Sequence, residues 1–156
     1  MKRILWLMLL AAAVWGLPRL SHPATDIGRL QPVEAVLLTL DDAGIRIETD
    51  GGYRGVGATL EEAVKDLYDA APAAIYLDTA NKLLISGEEE PDWTEILSVF
   101  RPSCRVCIVN GDVNLKEAAD YLAVHEPEIT LNRLRAGEKE RQILTIREGR
   151  GSLEAE

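Results

Sequence analysis

Between Gly55 and Gly87 the chain passes through a glycine-rich turn, a capped helix and two short apolar runs. This stretch constrains the fold more than any other. Thr59 is a good helix N-cap residue and Glu62 follows three positions later, the spacing of a capping box. Leu60, Ala63, Val64, Leu67 and Ala71 then fall on one helical face, and Pro72 stops the helix. Ala74-Ile75-Tyr76-Leu77-Asp78 and Leu83-Leu84-Ile85-Ser86 have strand length. Thr79 to Lys82 either turns between two strands or bends a single one. A helix with one apolar stripe next to apolar strands has to bury that stripe on a sheet.

The remaining segments supply such a sheet. Val33 to Leu40 is apolar on both alternating faces, as in a central strand. Asp41-Asp42-Ala43-Gly44 offers turn chemistry. Ile45, Ile47 and Thr49 alternate with Arg46, Glu48 and Asp50, so residues 33–50 are expected to form a hairpin. Tyr53 to Gly57 either extends the sheet edge or forms a loop. Glu88-Glu89-Glu90-Pro91 is a helix-start signal. Trp93, Ile96, Leu97 and Phe100 would be the buried face of that helix, and Pro102 its end. Arg105 to Val109 reads as a buried strand. Asn114 and Glu117 open a helix carrying Leu115, Ala118, Ala119 and Leu122, closed by Pro127. Ile129 to Leu131 reads as a short strand, and Gln142 to Arg147 as the last one. The expected fold is α/β, α+β-like: a single mixed sheet of about five or six strands with three helices, the helix-linked strands after residue 72 running parallel. Residues 21–32 would be a connector, 33–148 the globular domain and 149–156 a polar, frayed tail.

The amino terminus predicts export. Lys2 and Arg3 precede an uncharged apolar run of 14 residues, Ile4 to Leu17. That is short for a membrane span of about 20 residues and suits a signal-sequence core of about 7 to 15. Residues 1–20 are therefore expected to form a hydrophobic helix, either a cleaved signal peptide or an uncleaved signal anchor. Both options place the body on the extracytoplasmic side of the cell membrane, or release it. No Cys follows the run, so lipoprotein anchoring is not expected. Residues 1–30 hold four of the 17 bases and one of the 26 acids, which leaves the rest at net −12. A nucleic-acid surface needs a positive footprint and is excluded as a class.

Candidate chemistry is sparse. Cys104 and Cys107 have CxxC spacing but start a strand, where residues three apart point to opposite faces; a redox pair needs a helix N-terminus. Gly55-Val56-Gly57-Ala58-Thr59 opens a helix but lacks the third Gly, the Lys-Ser/Thr of a phosphate loop and an acid spaced for a ribose. His22 and His125 have no ligand partner at metal spacing. The acid pairs Asp41/Asp42 and Glu88/Glu89/Glu90 are explained by turn and helix-start chemistry. No catalytic, cofactor or metal residue is assigned, and no enzyme activity is expected.

With the strands placed, the chain resembles the first domain of the spore-germination receptor C-subunit family, the Ger(x)C proteins. The similarity rests on Asp26-Ile27-Gly28-Arg29-Leu30, the Val33 to Thr49 hairpin, Gly55 to Ala63, Ile75-Tyr76-Leu77-Asp78 and Leu83 to Glu88, spanning residues 26–125. Members of that family carry a lipid-attachment Cys after the signal sequence and run on into further domains. Both features are missing here, so the expectation is a free-standing domain similar to the first one. The resemblance implies a non-catalytic, exported or membrane-anchored interaction module that contacts a membrane protein in germination or sporulation. It carries over no catalytic residue. The alternative is an exported small-molecule or cation-binding domain using Asp41, Asp42, Asp78 and Glu88 near strand ends. A third class, an exported hydrolase, would need a carboxylate pair or a Ser/His pair brought together in space.

Overall fold

A computed structural model describes residues 30–87, 90–147 and 150–155. The expected hydrophobic N-terminal helix lies outside them, as do His22, Glu88 and Glu89. The centre is a seven-stranded mixed sheet. Its strands are β2 (Ala35–Asp41), β3 (Gly44–Thr49), β4 (Arg54–Gly57), β6 (Lys82–Gly87), β7 (Arg105–Val109), β8 (Gln142–Arg147) and β9 (Arg150–Ala155), in the spatial order β4-β3-β2-β6-β7-β8-β9. β2, β6, β7 and β8 are parallel neighbours; for β6, β7 and β8 the helix-linked pattern after residue 72 predicts this. β3, β4 and β9 join them antiparallel to their neighbours. A separate two-stranded parallel sheet pairs β1 (Leu30–Pro32) with β5 (Ala74–Tyr76).

Four helices cover this sheet: α1 (Leu60–Ala70), α2 (Trp93–Val99), α3 (Leu115–Val124) and α4 (Leu131–Arg135). The strand alternation splits the core in two. Val36, Leu38, Ile47, Leu83, Ile85 and Val106 face α1, α2 and α4. Ala35, Leu84, Cys107, Val109 and Leu144 face α3, which packs Leu115, Ala118 and Leu122 against them. Each residue on a strand therefore has its partner layer set by parity alone.

The expectation of five or six strands and three helices needs four corrections. Residues 150–155, expected as a polar tail, form β9, because Leu153 packs into the α3 layer and Gly151 lies under the Tyr121 ring. Leu30–Pro32, placed in the connector, is β1. The run at 74–78 does not pair with the following strand; it pairs with β1 and then turns through a 3₁₀ helix, Leu77–Thr79. The Ile129 to Leu131 segment makes one antiparallel bridge, Arg105 to Thr130. Thr130 then leads into α4, the helix the pattern misses. At α2 the start also shifts: Asp92, not Pro91, sets the first turn, its Oδ1 accepting from Thr94 N at 2.8 Å and Glu95 N at 3.4 Å.

Candidate functional site

The Gly55-x-Gly57 motif leads into α1 where a phosphate loop would lie. A Cβ on Gly55 would stand 2.2 Å from Ala63 O and 2.5 Å from Leu67 N, and one on Gly57 2.5 Å from Ala63 N. Both glycines exist so that the α1 backbone can lie directly on β4. The helix start is already filled from within the chain. Glu62 N donates to Thr59 Oγ1 at 3.3 Å, and the Glu62 carboxylate accepts from Ala58 N at 3.0 Å. The capping box thus forms with its return bond one residue earlier than the usual pattern. Glu95 of α2 accepts from Leu60 N at 3.0 Å. These groups occupy the amides a phosphate would use and set two carboxylates beside them.

The acid candidates disperse. Asp41 ends β2; its Oδ1 accepts from Ala43 N at 2.9 Å, which closes the expected turn. Asp78 lies at the other end of the sheet, in the 3₁₀ turn whose Thr79 Oγ1 accepts from Val33 N at 3.0 Å. Burial, then the Asp78 carboxylate, pushes the Tyr68 phenol above its ordinary pKa. Among the described residues no three His, Cys, Asp or Glu side chains gather as metal ligands. Cys104 belongs to the α1-side core and Cys107 to the α3-side core, so the CxxC residues are separated by the sheet itself. Burial pushes each thiol up to about 12. His125 is the C-cap of α3 and stacks on Tyr121, centroids 4.5 Å apart.

The features that remain are surfaces. Because Gly55 and Gly57 face α1, Arg54 and Val56 point to the opposite side of the sheet, together with Arg46 and Glu48 of β3. Here α3 does not cover the strands. Val56 is 58% exposed. Around it run cross-strand pairs: Arg54 Nε to Glu48 Oε2 at 2.8 Å, and Arg46 to Asp41 at 4.0 Å. A groove of about 350 Å³ separates this bare half-sheet from the start of α3; Glu48, Asp50, Arg54, Asn114 and Lys116 are among its lining residues. A shallower one of about 260 Å³, lined by Asp41, Ile45, Arg46 and Val56, bounds its other end.

Two further features were not legible beforehand. Lys82, expected in a turn or in a bent strand, is 3% exposed at the start of β6, its ammonium 2.8 Å from the Glu34 carboxylate. A buried ammonium costs several kcal/mol in desolvation, roughly, and is tolerated only when paired; Glu34 supplies the pair from the solvent side. A cleft of about 590 Å³ lies between Trp93 and the turn after α4, lined in part by the Glu90–Arg141 ion pair at 2.8 Å. Glu138 in that cleft is paired with Arg133. No described helix is long and apolar enough to cross a membrane. No protein-family model, no curated protein and no solved structure matches this chain.

Proposed function

We propose that the chain is a non-catalytic, exported or membrane-anchored interaction module whose partner is a membrane protein, with a place in spore germination or sporulation machinery. The observation that supports it is the uncovered half of the sheet. β3 and β4 are packed on one side by α1, yet on the other they present Arg46, Arg54 and Val56 to solvent between two grooves. One exposed apolar side chain, Val56, ringed by Arg46, Arg54 and Glu48, offers a partner an apolar contact with a charged rim. The apolar run before residue 18 supports placement at the outer face of the membrane. The loop at Gly51 and Gly52 borders the larger groove and belongs to the same surface. The edge of β4 does not: Asp66 Oδ2 accepts from Val56 N at 2.9 Å and Glu62 from Ala58 N, so its backbone is closed to an added strand.

The test uses the tagged full chain in the cell that makes it. Protease added to cells stripped of their wall should digest the body of the protein, and a membrane protein should co-purify with it in mild detergent. Val56→Glu, which stands opposite Arg46 in the ladder and so meets an opposite charge, should abolish that capture while leaving the unfolding free energy within about 0.5 kcal/mol of the parent, as for a surface change. Protection from protease in the wall-stripped, unlysed cells would remove the export half of the proposal. Capture that ignores Val56→Glu would remove the surface.

A further inference from the structure

The two edges of the main sheet are treated differently. At β4 the outward amides of Val56 and Ala58 are taken by carboxylates of α1. At β9, among the described residues, no side chain and no strand other than β8 bonds the backbone of Arg150–Ala155. Among the described residues, every second residue of this six-residue strand thus leaves its backbone groups open, on a strand that is otherwise firmly placed. Leu153 packs in the α3 layer, and a Cβ on Gly151 would meet the Tyr121 ring at 2.4 Å, so a one-residue slip of β9 is blocked. An open, well-ordered edge is a template for another strand.

The residues on β9 say which strand. Gly151 and Leu153 turn toward α3, so Arg150, Ser152 and Glu154 share the solvent face, and all three are exposed. If a second β9 is laid antiparallel about a two-fold axis at Ser152, Arg150 stands opposite the second copy's Glu154 and Glu154 opposite its Arg150. On the inner face Gly151 stands opposite Leu153, a small residue against a large one. Opposite charges directly across a ladder favour pairing and like charges oppose it. The two-fold makes each contact occur twice. We propose that β9 is a homodimerisation edge, joining two copies antiparallel about Ser152 into one continuous fourteen-stranded sheet, with the paired charges of Arg150 and Glu154 selecting the register. The joined edge lies at the far side of the sheet from the bare β3-β4 face, so a dimer would present two copies of that face.

The register places the two Ser152 residues directly across from each other, with Cα atoms about 4.5 to 5.5 Å apart, within disulfide reach. The full-length Ser152→Cys chain in detergent micelles should therefore form a covalent dimer under mild oxidation. The native Cys104 and Cys107 are buried and give no background in the folded parent. Glu154→Arg and Arg150→Glu, each added to Ser152→Cys, should weaken the dimer roughly tenfold or more, because each puts two like-charged pairs across the ladder. The charge-swapped pair, Arg150→Glu with Glu154→Arg, should restore it. The restoration separates a register effect from misfolding, since both single changes are present in the rescued chain. A monomer by sedimentation at all concentrations, cross-linking equal in the single and swapped variants, or a β9 cross-link to a different protein in place of the second copy, would each overturn the proposal.

Discussion

Gly55 illustrates how much a single residue can decide. Its hydrogen in place of a methyl group lets Ala63 O and Leu67 N of α1 approach β4. Gly55→Ala must push the helix off the strand, and overpacking of this kind costs about 1 to 3 kcal/mol, so a loss near the upper end is expected. Denaturant unfolding should show the shift in midpoint with an unchanged slope; a loss under about 0.5 kcal/mol would mean the helix is not seated as described. The two cysteines give a residue-scale pH effect. Burial lifts Cys104 from 9.0 to about 12, against an opposing pull from Arg101; burial and then the neighbouring Cys104 lift Cys107 by a similar amount. The folded state therefore holds both thiols neutral where the unfolded chain begins to ionise. Their contribution to stability is full below pH 9 and declines as pH rises from 9 toward 12, by up to about 1.4 kcal/mol per pH unit for each thiol. Cys104→Ala with Cys107→Ala, less stable at neutral pH through lost volume, should lose less on going from pH 8.5 to 10.5 than the parent does. Equal losses in both chains would contradict the assignment.

At the scale of elements, α1 is the best-specified part of the molecule. Its stripe, its Thr59 cap and its Pro72 stop are all local in sequence, and the structure forms the helix over Leu60–Ala70 with Thr59 as N-cap. Thr59→Ala should cost about 1 kcal/mol by the same unfolding measurement. The acids on that helix have a different task. Glu62 and Asp66 hold outward amides of β4, so removing both with Glu62→Ala and Asp66→Ala should open the edge and produce concentration-dependent association, seen by light scattering, beyond that of the parent. The short elements were less legible for the same physical reason that α1 was clear. β1 and β5 are three residues each and exist because they pair with each other across more than forty positions, Leu30 with Ala74 and Pro32 with Tyr76. α4 is five residues long, too short for a periodic stripe to show, and Thr130 at its start makes no side-chain cap bond.

Across the whole molecule, the parallel run of β6, β7 and β8 was foreseeable from near-continuous apolar runs separated by helical stretches; the parallel pairing of β2 with β6 was not. The candidate site was foreseeable only in part. Arg46 and Glu48 alternate with Ile45 and Ile47, which marks one face of β3 as polar, but nothing local to β3 says that α3 stops short of covering it. The Asp41, Asp42, Asp78 and Glu88 set, gathered in the sequence by residue type, contains at least two members, Asp41 and Asp78, at opposite ends of the sheet. Sequence alone determined the helices that cap themselves, the β2–β3 hairpin, the buried strands and the incompatibility of the CxxC spacing with a strand pair, because each depends on contacts within a few residues or on a strict period of two. Tertiary structure decided the rest: that Leu153 has a core to enter and so turns a polar tail into β9, that Lys82 is buried against Glu34, and that Val56 faces water while its neighbours Gly55 and Gly57 face a helix. Those outcomes depend on which distant segment arrives to cover each face, and distance along the chain leaves no periodic mark of that.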